Sequence, residues 1–402
     1  MTPARPRPLE GVRVLDFGRF IAAPYCGMML ADMGAEVFRV DRPGGEEDRR
    51  YGLTGPNGSN FVFSNFGRNK KGITLDVLRR DAPREVLAGL VARCDVFLHN
   101  FSPSAVGAFA LGYDDIRAMR EDVIYAGISC YGSTGPYATR SGFDQIAQVM
   151  SGACALTGYD HEPPMRSAVP WVDYSTGLLA ALGIVLALRH RDATGEGQEV
   201  DCALLQTAVS YTSPMIAEAL VAGRERPRIA NRMPYVGPTD LYRCRDGWVY
   251  IATVTDGMWR SLMDLIERPE LAAVPAYATD EGRFEARSEI DPHVEAWMAE
   301  RDVAEVVGAM EAARIPCGVY RTTAEVHEDP HVAAREMLAW VDMEAPGMER
   351  VPVSGVPVKL SASPGAVRHR APHPGEHNDE CYLGLLGYTP ERLGELRAAG
   401  LV

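Results

Sequence analysis

Residues 12–40 read VRVLDFGRFIAAPYCGMMLADMGAEVFRV, and this stretch decides the fold. Residues 12–17 are a short β-rich run, the pattern of a strand. Residues 22–33 follow as a compact helical stretch, with Pro24 near its start, where proline is tolerated. Gly34 ends that stretch, and residues 36–40 make a second strand. Strand, helix and strand in succession form a βαβ unit, and its crossover implies a parallel pair. The connecting turn, Gly18-Arg19-Phe20-Ile21-Ala22-Ala23, lacks the G-x-G-x-x-G spacing, so a nicotinamide or flavin fingerprint is missing where it should stand.

The same alternation continues outward. Strand-like runs at 73–77, 95–100 and 123–129 are interleaved with a helix at 84–93, which extends the α/β class along the first part of the chain. Ligands of such sheets bind in the loops at the carboxyl ends of the strands, so Arg42, Lys70 and Lys71 are expected to border a site. Taken singly, each is more often a solvated surface charge. Further on, residues 163–198 place Asp173 at the mouth of a very apolar helix. Residues 177–188 carry no charged or polar side chain, which predicts a buried helix running from Tyr174 to near Arg191 and stopped by Gly195 and Gly197. Asp173 then reads either as an N-cap or as a nucleophilic or basic carboxylate at the rim of a pocket.

From about Arg224 the character changes. Two β-rich runs flank Asp246-Gly247, a hairpin signal, and helical stretches at 257–266 and 294–314 follow, separated by the polar segment 279–287. This gives a domain plan of 1–205 for a large domain, 206–225 for a linker, 226–321 for a smaller α+β domain, and 322–402 for a return linker and the rest of the large domain.

The bulk numbers remove whole classes of function. A net charge of −13 over 402 residues disfavours nucleic acid or an anionic membrane surface as partner. Eight cysteines without a C-x-x-C pair suit free thiols in a reducing, cytoplasmic compartment. No apolar h-region follows the N-terminal arginines, and the twelve-residue apolar run from Gly177 is too short to cross a bilayer. His369, His373 and His377 recur every four residues, but Pro372, Pro374 and Gly375 interrupt them, so no helical metal face is expected. P-loop and G-x-S-x-G motifs are missing as well.

Motifs along the whole chain resemble the class III CoA-transferases, the family of formyl-CoA and carnitine CoA-transferases and 2-methylacyl-CoA racemases. They include residues 8–16 (PLEGVRVLD), 31–37 (ADMGAEV), Asn100-Phe101, 142–148 (GFDQIAQ), Asp173 with its apolar helix, 194–198 (TGEGQ), 315–318 (IPCG), Asp329-Pro330 and Gly375-Glu376-His377. The resemblance implies a Rossmann-like large domain built from both chain ends, a smaller inserted domain, and an interlocked homodimer. It implies Asp173 as the nucleophile of an acyl-CoA:carboxylate CoA-transferase, acting through an aspartyl anhydride and an aspartyl-CoA thioester. Coenzyme A enters as co-substrate, with no other cofactor and no metal. By motif, the CoA contacts fall near Ala22, Ala23, Arg42, Lys70, Asn100 and Phe101, with Lys71 beside them. Many relatives read N-F-R-P-G where this chain has Asn100-Phe-Ser-Pro-Ser104, and a family arginine is replaced by Ala108, so Arg140 is a candidate substitute. Racemases of the family carry His in a G-H-D motif where this chain has Phe143, assigned here to substrate binding; phenylalanine moves no proton. An epimerase, an isomerase with intramolecular CoA transfer, and a CoA-binding subunit of a heteromeric transferase remain the alternatives.

Overall fold

The computed structural model describes residues 6–55, 60–79, 84–343 and 349–402. The β-rich runs form six parallel strands: β1 (Arg13–Asp16), β2 (Glu36–Asp41), β3 (Lys71–Thr74), β4 (Val96–His99), β5 (Ile124–Ser129) and β6 (Gln198–Ala203). Their order in the sheet is β3-β2-β1-β4-β5-β6. Two halves therefore run outward from a reversal between β1 and β4, which is where doubly wound sheets open a crevice.

Side-chain alternation explains why both faces are covered. Val14, Val96, Leu98, Ile124 and Ala126 point to one face, against helix α1 (Ala22–Asp32) and the long apolar helix. Leu15, Phe97 and Tyr125 point to the other, against helix 84–91 and the C-terminal residues Tyr382, Leu393 and Leu396. Each buried Val, Leu, Ile or Phe among these contributes roughly 1.5–3 kcal/mol over exposure. The C-terminal segment also pins the sheet edge: Asn378 Oδ1 accepts the Thr74 N–H at 2.9 Å, and Tyr382 Oη donates to the Thr74 carbonyl at 2.7 Å.

The chain divides into two compact units. The first comprises Met1–Ser151, Ala168–Tyr211 and Pro330–Val402, and contains the parallel sheet. A two-stranded antiparallel ribbon, Leu338–Asp342 with Arg350–Ser354, lies in its last part. The second unit comprises Gly152–Ser167 and Thr212–Asp329 and so takes in residues 152–167, which the sequence reading leaves in the first domain. Thr239–Arg243 and Trp248–Ala252 pair antiparallel around the Asp-Gly turn, and Cys317–Val319 adds a third strand. The polar segment 279–287 separates the helices Asp256–Leu265 and Arg287–Ala299, but it is not irregular throughout: Asp280–Glu285 is itself a short helix, capped by Thr279, which accepts the Gly282 N–H at 3.1 Å.

The apolar helix needs two corrections. It runs Trp171–Thr194, so Asp173 lies in its first turn and not ahead of it. Nor is it buried all round. Ala180, Ala181, Ile184, Ala187 and Leu188 face the sheet side, while Leu178, Leu179, Leu182, Val185 and Leu186 are exposed in the single chain. By length and composition this helix alone, among the described residues, reaches what a membrane span requires. Its close approach to α1 marks it instead as a packing element: a Cβ on Gly177 would sit 2.4 Å from the Ala22 carbonyl oxygen.

Candidate active site

The crevice at the β1/β4 reversal holds a cavity of about 350 Å³. Its walls come from the turn after β1 (Arg19, Phe20, Ile21, Ala22), the loop after β4 (Asn100 to Pro103), the end of β5 with Cys130, and the loop Arg140–Phe143. Asp173 is the one carboxylate in this lining.

Asn100 ties two of these walls together. Its Oδ1 accepts the Arg19 N–H and its Nδ2 donates to the Arg19 carbonyl, both at 2.8 Å. The preceding residue, His99, is buried, and burial pulls its imidazole down to about 4, so it is neutral. Nδ1 accepts the Phe101 N–H at 3.2 Å, which leaves the proton on Nε2 to meet Tyr125 Oη at 2.7 Å. Ser102 and Pro103 start the helix Pro103–Ala108. Ser102 Oγ accepts the Ala105 N–H at 3.3 Å, so the serine is an N-cap.

The first turn of the helix Trp171–Thr194 carries Asp173. The acceptor for its N–H groups is Asp144, from helix Asp144–Met150: Oδ2 takes the Val172 and Asp173 N–H groups at 2.9 and 3.1 Å. The cap reading of Asp173 is thereby overturned, since a neighbouring carboxylate fills that role. Among the described residues, no hydrogen bond or ion pair engages the Asp173 side chain. Burial pushes its carboxyl up to about 7, and the charge of Asp144 adds to the rise. The helix mouth thus does not favour an anion at Asp173, because Asp144 already occupies it.

Of the residues the resemblance points to, Ala22, Asn100, Phe101, Arg140, Phe143 and Asp173 line the one cavity. Four do not. Ala23 is fully buried in the core. Lys70 is also buried, its Nζ held 2.7 Å from Asp16 Oδ2 and 2.8 Å from the Pro24 carbonyl. Lys71 pairs with Glu36 at 2.6 Å and with Glu380. Arg42 binds Glu46 through Nε at 3.1 Å, and the same Glu46 accepts Arg19 Nη2 at 2.7 Å.

Arg19 and Asp144 were missed. Arg19 brings a cation into the cavity beside the Phe101 ring, 5.3 Å from its centroid. Its signal was positional: it sits in the turn after the first strand, the crest of the switch point. Asp144 had only the signal of its place in the motif at residues 142–148, where Phe143 drew the attention. Arg140, the other cation of the lining, is exposed and stacks on Tyr137 at 3.9 Å.

Comparisons with known proteins agree on the family. A model of CoA-transferase family III matches residues 9–378. The chain is 35% identical over 399 residues to a succinyl-CoA–D-citramalate CoA-transferase of Chloroflexus aurantiacus, covering 99% of this chain and 98% of that protein. It is 32% identical over 399 residues to the β subunit of a succinyl-CoA–L-malate CoA-transferase of the same organism, covering 98% of each. The crystal structure of a CaiB/BaiF family protein from Brucella suis is similar with a TM-score of 0.83 and 30% identity, covering 95% of this chain and 100% of that one. The chain belongs to CoA-transferase family III, and it is a CoA-transferase that works on CoA thioesters.

Proposed function

We propose that the protein moves CoA from succinyl-CoA to a second dicarboxylic acid through covalent intermediates on Asp173. The observation that carries this reading is a single carboxylate in the lining of the switch-point cavity whose side chain is unbonded among the described residues, with Arg19 and Arg140 as nearby positive charge. Succinyl-CoA and a dicarboxylate are taken from the names of two relatives.

An Asp173 oxygen attacks the thioester carbonyl, and CoA leaves as thiolate, giving a mixed anhydride. The thiolate then attacks the Asp173 carbonyl carbon and expels the donor acid as carboxylate. This leaves CoA on Asp173 as a thioester, and the acceptor carboxylate runs both steps backward. Every step exchanges one carboxylate or thiolate for another, so no proton has to move. That suits a lining in which Phe143 stands where a racemase needs an acid or base. It also suits a carboxyl held near 7, which is basic enough to be a good nucleophile and half ionised at neutral pH. The N–H groups of Val172 and Asp173 bind Asp144, so they are not the donors for the developing oxyanion.

Two copies of the chain form the working unit in this reading. The exposed leucines and Val185 of the helix Trp171–Thr194 make an apolar stripe of the kind that a second copy covers. Eight free cysteines fit a reducing cytoplasm. A second reading, a subunit of a heteromeric transferase, is favoured by the relative named as a β subunit.

Label exchange tests the function. Purified chain, incubated with succinyl-CoA and isotopically labelled succinate, transfers label into the thioester, and Asp173→Asn does not. Exchange at the wild-type rate in that variant refutes the reading. Activity of the chain alone separates it from the heteromeric alternative.

A further inference from the structure

The turn after β1 carries Phe20 in the left-handed region, at φ 62°. A bulky side chain rarely adopts that conformation and keeps it only where the surroundings hold it. The holding group is Asp48, a buried carboxylate in the segment Glu47–Arg50. Its Oδ2 accepts the Phe20 N–H at 3.2 Å. Both of its oxygens also accept Arg39 Nη2, at 2.9 and 3.0 Å. Arg39, buried too, is anchored by Asp41 through Nε at 3.0 Å and donates to the Gly18 carbonyl. One ion pair therefore grips the turn at residue 18 and at residue 20.

What the grip delivers is an aromatic ring. Phe20 lines the cavity and stands edge-on to Phe143 at 6.3 Å and to Tyr51 at 5.6 Å. Phe143, 61% exposed in the single chain, belongs to the loop that leads into Asp144, so the two rings meet at the rim of the cavity from different elements.

We propose that Asp48 is a positioning residue that sets Phe20 against Phe143 as a water-excluding wall, and so decides whether CoA on Asp173 passes to an acid or is lost to water. The inference rests on the Asp173 reading above. In the wasteful step, the oxygen of water bonds to the Asp173 carbonyl carbon as the C–S bond breaks. One of its protons caps the departing thiolate and the other goes to solvent, leaving Asp173 as carboxylate. Water and the acceptor carboxylate compete for the same carbon, and an apolar rim that holds water off favours the acid already bound. Asp48 touches neither; it acts through Phe20.

The test compares CoA release with label exchange, using succinyl-CoA and labelled succinate, in the wild type, Asp48→Ala, Phe20→Gly and Asp173→Asn. Asp48→Ala and Phe20→Gly are expected to raise the ratio of hydrolysis to exchange at least tenfold, and Asp173→Asn to lose both reactions. Glycine tolerates the positive φ, so Phe20→Gly carries the test by itself if Asp48→Ala fails to fold. A wild-type ratio in the variants, even with slower exchange, overturns the inference while leaving Asp173 as the nucleophile. Undiminished exchange in Asp173→Asn overturns the reading beneath it.

Discussion

Asp144 Oδ2 accepts the backbone N–H of Asp173 at 3.1 Å, so one carboxylate holds the helix mouth on which the other is displayed. The arrangement divides two tasks between two residues. Asp144 neutralises the positive end of the helix, and Asp173 is left in a part-buried cavity wall with a like charge beside it.

The pH dependence of exchange follows from that pair. In the proposed mechanism only the carboxylate of Asp173 attacks, so activity is expected to rise with pH and reach half its plateau near 7. Asp144→Asn removes the like charge and moves that midpoint to lower pH, although burial, the larger cause, keeps it above the ordinary value. The pH profile of exchange in the two proteins checks this; an unmoved midpoint contradicts it.

Stability responds with a definite sign. The Asp173 carboxyl titrates higher folded than unfolded, so between about 4 and 7 the folded protein holds a proton that the unfolded chain releases. Stability is therefore lost as pH rises through that window. Asp173→Asn is expected to be more stable than wild type at pH 8, by roughly 2 kcal/mol after discounting for solvent in the cavity, and no more stable near pH 4. Urea melts at the two pH values measure it.

Lys70 is predicted to matter for folding. Lys70→Met leaves Asp16 buried without its counter-charge and is expected to cost about 3–5 kcal/mol. A variant that keeps wild-type stability but loses affinity for CoA would place the amine in the binding site instead.

Gly177→Ala tests the helix crossing. The added methyl meets the Ala22 carbonyl oxygen, and pushing α1 away is expected to cost about 1–3 kcal/mol and to move the cavity wall at Ala22. A thermal melt and the KM for succinyl-CoA read the two effects separately.

The apolar stripe gives the last prediction. If a second copy covers this stripe, as proposed, Leu182→Asp with Leu186→Asp is expected to turn that dimer into a monomer in light scattering, because both side chains are exposed in the single chain. A dimer that persists would put the contact elsewhere.

The sequence by itself determined the local elements and the class. The βαβ pattern of residues 12–40, the stop at Gly195 and the Asp-Gly hairpin are encoded by periodicity and turn chemistry within a few residues of each other. The motifs around Asp173, Asn100 and Phe101 likewise pointed to side chains that line one cavity. Tertiary structure alone decided the strand order with its reversal between β1 and β4, because pairing partners far apart in sequence leave no periodic trace. It also took Lys70 out of the cavity and put Arg19 in, since Asp16 lies 54 residues from the lysine it captures. And it gave the helix cap to Asp144 instead of Asp173, a choice made by two backbone N–H groups 28 and 29 residues away from the carboxylate that binds them.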